Sequence, residues 1–235
     1  MGLDQPAVVQ YFNWVDGLAH GDLGRSFFTN KSVMGQLAKR IPISLKLAGF
    51  SMILTIVFGV GSGVLMAVKK DRLLDHVLGT FSTVALSVPG FWIAIVLIFI
   101  FAEQWKILPS SGISDGSGFI LPAITLALPS IGVCARLTRS AILDEIGRQY
   151  MTVADAKGMS RRCAVIRHAF GNALIPIITY LGNHMAGIIG GASIVETIFA
   201  IPGIGSYAIA GVQSKDYYVV QAYVLFSGCI YVLTN

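Results

Sequence analysis

The sequence predicts an all-α bundle of membrane-spanning helices, on three observations. Only 12% of its 235 residues are charged while 54% are hydrophobic, whereas a soluble domain carries about 25% charged residues. Five uncharged runs of 17 to 26 residues recur along the chain, against a hydrocarbon core that about 20 helical residues cross. The loops between these runs are alternately basic and nearly neutral, as a chain threaded through a membrane requires.

The first run, residues 47–68, has 22 residues and ends at Lys69, Lys70, Asp71 and Arg72. As a helix it spans roughly 33 Å. The second run, 77–102, holds Pro89-Gly90 near its middle, which predicts a kink or break there. The third, 119–135, contains Pro122 and Pro129 and continues past Arg136 as a polar helix. The fourth covers 173–194 and the fifth 219–235.

Orientation follows from Lys and Arg. The loop after the first run has Lys69, Lys70 and Arg72, and the loop 136–172 has seven such residues from Arg136 to Arg167. The other two loops have one each, Lys106 and Lys215. The basic loops are therefore cytoplasmic, and residues 1–44 form an extracytoplasmic segment before a transmembrane region over 45–235. That segment is polar and shows no basic region followed by an apolar core, so it lacks an export signal of its own. The expectation is that a preceding transmembrane helix and the C-terminal end are missing from this sequence.

The same pattern excludes other classes. Net charge is +5 and the pI about 9.2, but the basic residues lie between apolar runs without interleaved aromatics, so no nucleic-acid partner is expected. Cys134, Cys163 and Cys229 have no metal-ligand spacing, and none falls outside the cell. His20, His76, His168 and His184 are scattered and give no metal site.

Small residues recur at four-residue spacing: Gly59 and Gly63 in the first run, and Gly182, Ala186 and Gly190 with Gly187 and Gly191 in the fourth. In lipid, close backbone approach is a main source of helix attraction, so these runs pack tightly or meet another subunit.

The loop 136–172 is the most informative stretch. Residues 136–157 hold no Pro and one Gly and can remain helical. Gly158 suits a left-handed C′ position, and Ser160 suits the N-cap of a following helix. Tyr150 to Lys157 is thus a short helix ended by a tight turn at the membrane–cytoplasm boundary, with a low Ala- and Gly-rich surface. By composition alone a docking site and a plain basic loop are equally served.

At this point the residues carry a resemblance. Tyr150-Met-Thr-Val-Ala154-Asp155-Ala156-Lys157-Gly158, then Arg167-His-Ala169 and Asn172-Ala-Leu-Ile-Pro176, resembles the cytoplasmic coupling loop of ABC importer permeases of the dipeptide, oligopeptide and nickel class. The usual Glu-Ala-Ala start is Thr152-Val-Ala154 here, and Phe170-Gly171 stands where many permeases have Leu-Pro. Both departures resemble the peptide/nickel class. Five further stretches fit in order: Gly21-Asp-Leu-Gly-Arg-Ser26, Ser87-Val-Pro-Gly-Phe-Trp92, Leu108-Pro-Ser-Ser-Gly112, Glu196 through Gly205, and Asp216 through Gln221. The family's first transmembrane helix has no counterpart.

The resemblance implies a polytopic helix bundle of the MetI-like permease type in a bacterial or archaeal cytoplasmic membrane. It implies cytoplasmic ABC ATPase subunits docked on the short helix (Tyr150, Ala154, Asp155, Ala156, Lys157, Gly158), a second related permease, an extracytoplasmic substrate-binding protein and surrounding membrane lipid. The substrate class is small peptides or a nickel or other metal chelate. The chain has no Gly-Lys pair, hence no P-loop, so it binds no cofactor itself and ATP and Mg belong to the partner. It is a pore subunit and not an enzyme.

Two ionisable residues are candidates for the pathway or gate. His184 lies inside the fourth run, where it either lines the path or bonds a neighbouring helix. Glu196, at that run's outer end, either caps or pairs at the extracytoplasmic gate or sits in the interface. The rival classes lack their signatures. An ion-coupled secondary transporter shows internal repeats and midplane ionisable groups, and no repeat is visible here. An intramembrane serine protease needs a paired nucleophile and base, and nothing places Ser62 beside His184.

Overall fold

The computed structural model describes residues 6–113, 116–151, 158–159, 163 and 169–234. Among them the chain is helical. α1 is Ala7–Ala19, α2 is Val33–Val68, α3 is Leu73–Ser87, α4 is Gly90–Gln104, α5 is Ile120–Ile146, α6 is Phe170–Ile198, α7 is Ile204–Gln213 and α8 is Tyr217–Thr234. Three helical stretches, Val33–Val68, Gly116–Ile146 and Tyr217–Thr234, are long and apolar enough to cross a membrane, and α3 with α4 forms a fourth if the pair is one span. α6 carries the fourth apolar run.

α2 begins 14 residues before the run that predicted it. Ser32 caps it, its Oγ accepting from the Gly35 N–H at 3.3 Å. Lys39, Arg40 and Pro42 break the apolar pattern there without breaking the helix. Arg40 bonds the Gly203 carbonyl at 3.4 Å and lies 4.6 Å from the centre of the Tyr207 ring. The helix loosens to π geometry over Thr55–Val60.

The second run is broken as expected. α3 and α4 meet at a bend of 103°. Pro89 has no N–H to donate and holds Val88 extended (φ −89°, ψ 126°). Pro122 and Pro129 both lie in α5; Pro122 is in the first turn, where a missing N–H costs nothing.

α5 is the central element, packed by α2, α3, α4 and α6. The Gly59/Gly63 pair explains how α2 approaches it. A Cβ on Gly59 would lie 2.8 Å from the Cys134 Cβ, and one on Gly63 2.6 Å from the Ala135 carbonyl. The small-residue stripe of α6 behaves differently. Gly182 meets the Thr234 carbonyl of α8, while Gly187 opens onto free space.

The interior has three apolar clusters. One, at the end of the bundle that bears the loop 136–172, joins Ala67, Ile142, Ala169, Ala173 and Ile177. The others, toward the opposite end, centre on Leu47, Leu121 and Phe199 and on Val33, Ile204 and Val219.

Candidate functional site

The base of the loop 136–172 is tied to the bundle by a small polar staple. α5 ends at Ile146 with Glu145 in its last turn, and residues 149–151 resume a helical turn. The Tyr150 hydroxyl donates to Glu145 Oε2 at 2.8 Å. Asn172, in the first turn of α6, donates from Nδ2 to that oxygen at 3.4 Å and to the Tyr150 hydroxyl at 3.2 Å. Arg148 flanks Glu145 at 3.7 Å. Partial burial holds the Tyr150 phenol above its ordinary range, and the Glu145 charge pushes the same way, so the hydroxyl remains a donor.

Beside the staple, Met151 is buried in the first apolar cluster against residues of α2, α5 and α6. A displacement of residue 150 or 151 is therefore passed to three helices through packed atoms. Gly158 has φ +75° and nothing within 4 Å of an added Cβ. It occupies the left-handed turn that its sequence position predicts, with no neighbour that close among the described residues. Ala154, Asp155, Ala156 and Lys157 lie outside the described residues.

Glu196 sits elsewhere, fully buried near the end of α6. It accepts from the Ser44 hydroxyl of α2 at 2.5 Å and from the Ser206 N–H at 2.9 Å, with the Gly205 N–H also donating. The carboxylate thus caps α7, where the helix dipole favours negative charge. Ser44 also accepts from the Ile204 N–H at 2.9 Å, so three elements share one acceptor site. Gly203 is required because a side chain there would run into the carboxylate. His184 is remote from Glu196 in the chain. Its ring stacks on Tyr180 at 5.4 Å, and its Nε2 is buried without a hydrogen-bond partner among the described residues.

Two junctions carried no sequence signal as pairs. Asp216, before α8, accepts from the Ser26 hydroxyl at 2.6 Å and the Phe27 N–H at 3.0 Å, and Tyr218 stacks on Phe27. Gly24 has φ +80°, and a Cβ there would lie 2.6 Å from the Tyr218 ring. The stretches 21–26 and 216–221 are therefore one structural unit. Asp75, at the start of α3, accepts both Nε and Nη2 of Arg139 from α5 at 2.7 Å each. Sequence reading counted Arg139 only as one charge of a basic loop.

Comparison with known proteins decides the family. Residues 59–235 match the family model described as a binding-protein-dependent transport system inner membrane component. The chain belongs to that family. A probable peptide ABC transporter permease of Sinorhizobium fredii is 37% identical over the whole chain and 78% of its own length. The glutathione transport system permease GsiC of Escherichia coli O6:H1 is 33% identical over the whole chain and 77% of its own length. An inward-facing structure of the MetNI methionine ABC transporter superposes with a TM-score of 0.70 at 16% identity, over 86% of this chain and 92% of that one; this supports the fold. The permease is accordingly an inner-membrane pore subunit of an ABC importer and not itself an enzyme. Its family implies an ATPase and a substrate-binding protein as partners.

Proposed function

We propose that this permease, with a second and related permease subunit, forms the translocation pathway for small peptides, and that residues 150–158 receive the ATPase. The observation that carries the reading is the Glu145–Tyr150–Asn172 staple. It binds the base of the loop to both flanking helices, so a push on the loop moves α5 and α6 together. In this reading Tyr150 and Gly158 fix the two ends of the docking helix, Ala154, Asp155, Ala156 and Lys157 supply its surface, and ATP and Mg bind only to the partner. The peptide class is supported by relatives named for peptide and glutathione transport. Glu196 holds the fold of the outer end, and His184 remains the pathway candidate of α6.

The test is uptake by the intact complex, purified from its native membrane and reconstituted with its binding protein. A labelled di- or tripeptide should accumulate with ATP on the cytoplasmic side and continue when ion gradients are collapsed. Accumulation driven by a proton or sodium gradient without ATP would replace this reading with an ion-coupled transporter.

A further inference from the structure

α3 exposes two neighbouring faces of opposite character. His76, Thr80, Thr83 and Ser87 are exposed at i, i+4, i+7 and i+11, a single stripe on a helix. About a quarter turn away, Val77, Phe81 and Val84 are 56%, 51% and 55% exposed. The third side is buried at Asp75, Ser82 and Ala85. One surface of the helix suits hydrocarbon and the other does not.

The position of the polar stripe is set by α5. Asp75 is level with Arg139 through their bidentate pair. Ser82 is level with Gly132, whose added Cβ would lie 2.6 Å from the Ser82 carbonyl. The two helices therefore run side by side and antiparallel from the cytoplasmic edge inward. From His76 to Ser87 the stripe climbs about 17 Å, more than half of a hydrocarbon core about 30 Å thick. That is too deep for contact with lipid headgroups.

At its cytoplasmic end the stripe opens into a cleft of about 540 Å³ lined by His76, Thr80, Thr83, Arg136, Asp75 and Arg139, among others. Arg139 is neutralised by Asp75. Arg136 is exposed and has no ion pair or hydrogen bond among the described residues. A charged group at this level faces water or a partner in the bundle, not lipid.

We propose that the His76–Thr80–Thr83–Ser87 face of α3, with Arg136, lines the aqueous path by which peptide leaves toward the cytoplasm. The inference rests on the importer reading above. Thr83 and Ser87 donate their hydroxyl hydrogens back to the Gly79 and Thr83 carbonyls at 3.0 and 2.9 Å. Their oxygens therefore present lone pairs outward, which accept the N–H groups that every peptide carries whatever its side chains. Arg136 adds one fixed positive charge at the mouth, which suits a terminal carboxylate.

The experiment uses the assembled complex with Cys163 and Cys229, both exposed, replaced by serine. Cys134 is buried and stays. Single cysteines are placed on each face: Thr80→Cys, Thr83→Cys and Ser87→Cys on one, Val77→Cys, Phe81→Cys and Val84→Cys on the other. A membrane-impermeant sulfonated thiosulfonate is added from the cytoplasmic side. The thiolate is the reactive form and needs water to ionise, so the polar face should react at least about tenfold faster. Modified Thr83→Cys should also lose peptide uptake while modified Val84→Cys keeps it. Equal rates on the two faces, or no reaction on the polar face, would overturn the proposal. Uptake by each unmodified variant is measured in parallel: a parent complex with no ATP-driven uptake refutes the importer reading, whereas intact uptake with equal labelling refutes only the lining of the path.

Discussion

Glu196 shows how much one side chain holds in this bundle. Its carboxylate accepts the Gly205 and Ser206 amides of α7 and the Ser44 hydroxyl of α2, so α2, α6 and α7 converge on two oxygens. Hydrogen bonds to a charged acceptor contribute about 1.5–3 kcal/mol each, and a donor left buried and unmade costs more than the bond gave. Glu196→Ala should therefore destabilise the permease by about 3 kcal/mol. In a thermal melt of the detergent-purified complex this reads as a midpoint lowered by about 5–10 °C. Glu196→Gln, which keeps the shape and one acceptor oxygen, should lose less. An unchanged melt for Glu196→Ala would mean that the N-terminus of α7 finds other acceptors. The sequence marked Glu196 as a candidate but left its role open between capping or pairing at the gate and a place in the interface. The deciding partners, Ser44 and Ser206, lie on two other helices, and no local spacing reports them.

Between elements, the Asp75–Arg139 pair is the clearest fastener. It joins the start of α3 to the C-terminal third of α5, and Asp75 is 4% exposed. Removing one partner leaves the other charge unpaired at the wall of the cleft, where water reaches the 29% exposed Arg139, so the cost is about 1–2 kcal/mol rather than that of a fully buried pair. A double-mutant cycle with Asp75→Ala and Arg139→Ala, read by thermal stability, should give a coupling of about 1 kcal/mol; the losses of the two single changes should add up to more than the loss of the double change. A coupling near zero would show that packing alone, such as the Gly132–Ser82 approach, sets the α3–α5 register. The helices themselves were largely legible as uncharged runs, and the Pro89 break was legible because proline acts locally. The start of α2 was not. Lys39 and Arg40 look like the end of a membrane segment in one dimension, whereas in three dimensions Arg40 is held by the Gly203 carbonyl and the Tyr207 ring.

At the scale of the whole molecule, the family was readable because it leaves a contiguous trace, six motifs in order along the chain. What joins those motifs left none. The stretches 21–26 and 216–221 meet across almost the full chain through Ser26 and Asp216, and the staple joins Tyr150 to Asn172 across the loop. The central claim is that this loop transmits the work of a separate ATPase, and Gly158 is where it is most exposed to test. With φ +75°, a side chain at Gly158 strains the backbone by about 1–2 kcal/mol, or roughly tenfold in docking; a β-branched residue fits that conformation worst. The decisive measurement is the amount of ATPase subunit that co-purifies with the Gly158→Val permease, normalised to permease in the membrane. The account predicts normal membrane levels with ATPase recovery and ATP-driven uptake reduced about tenfold or more; normal recovery and normal uptake would contradict it.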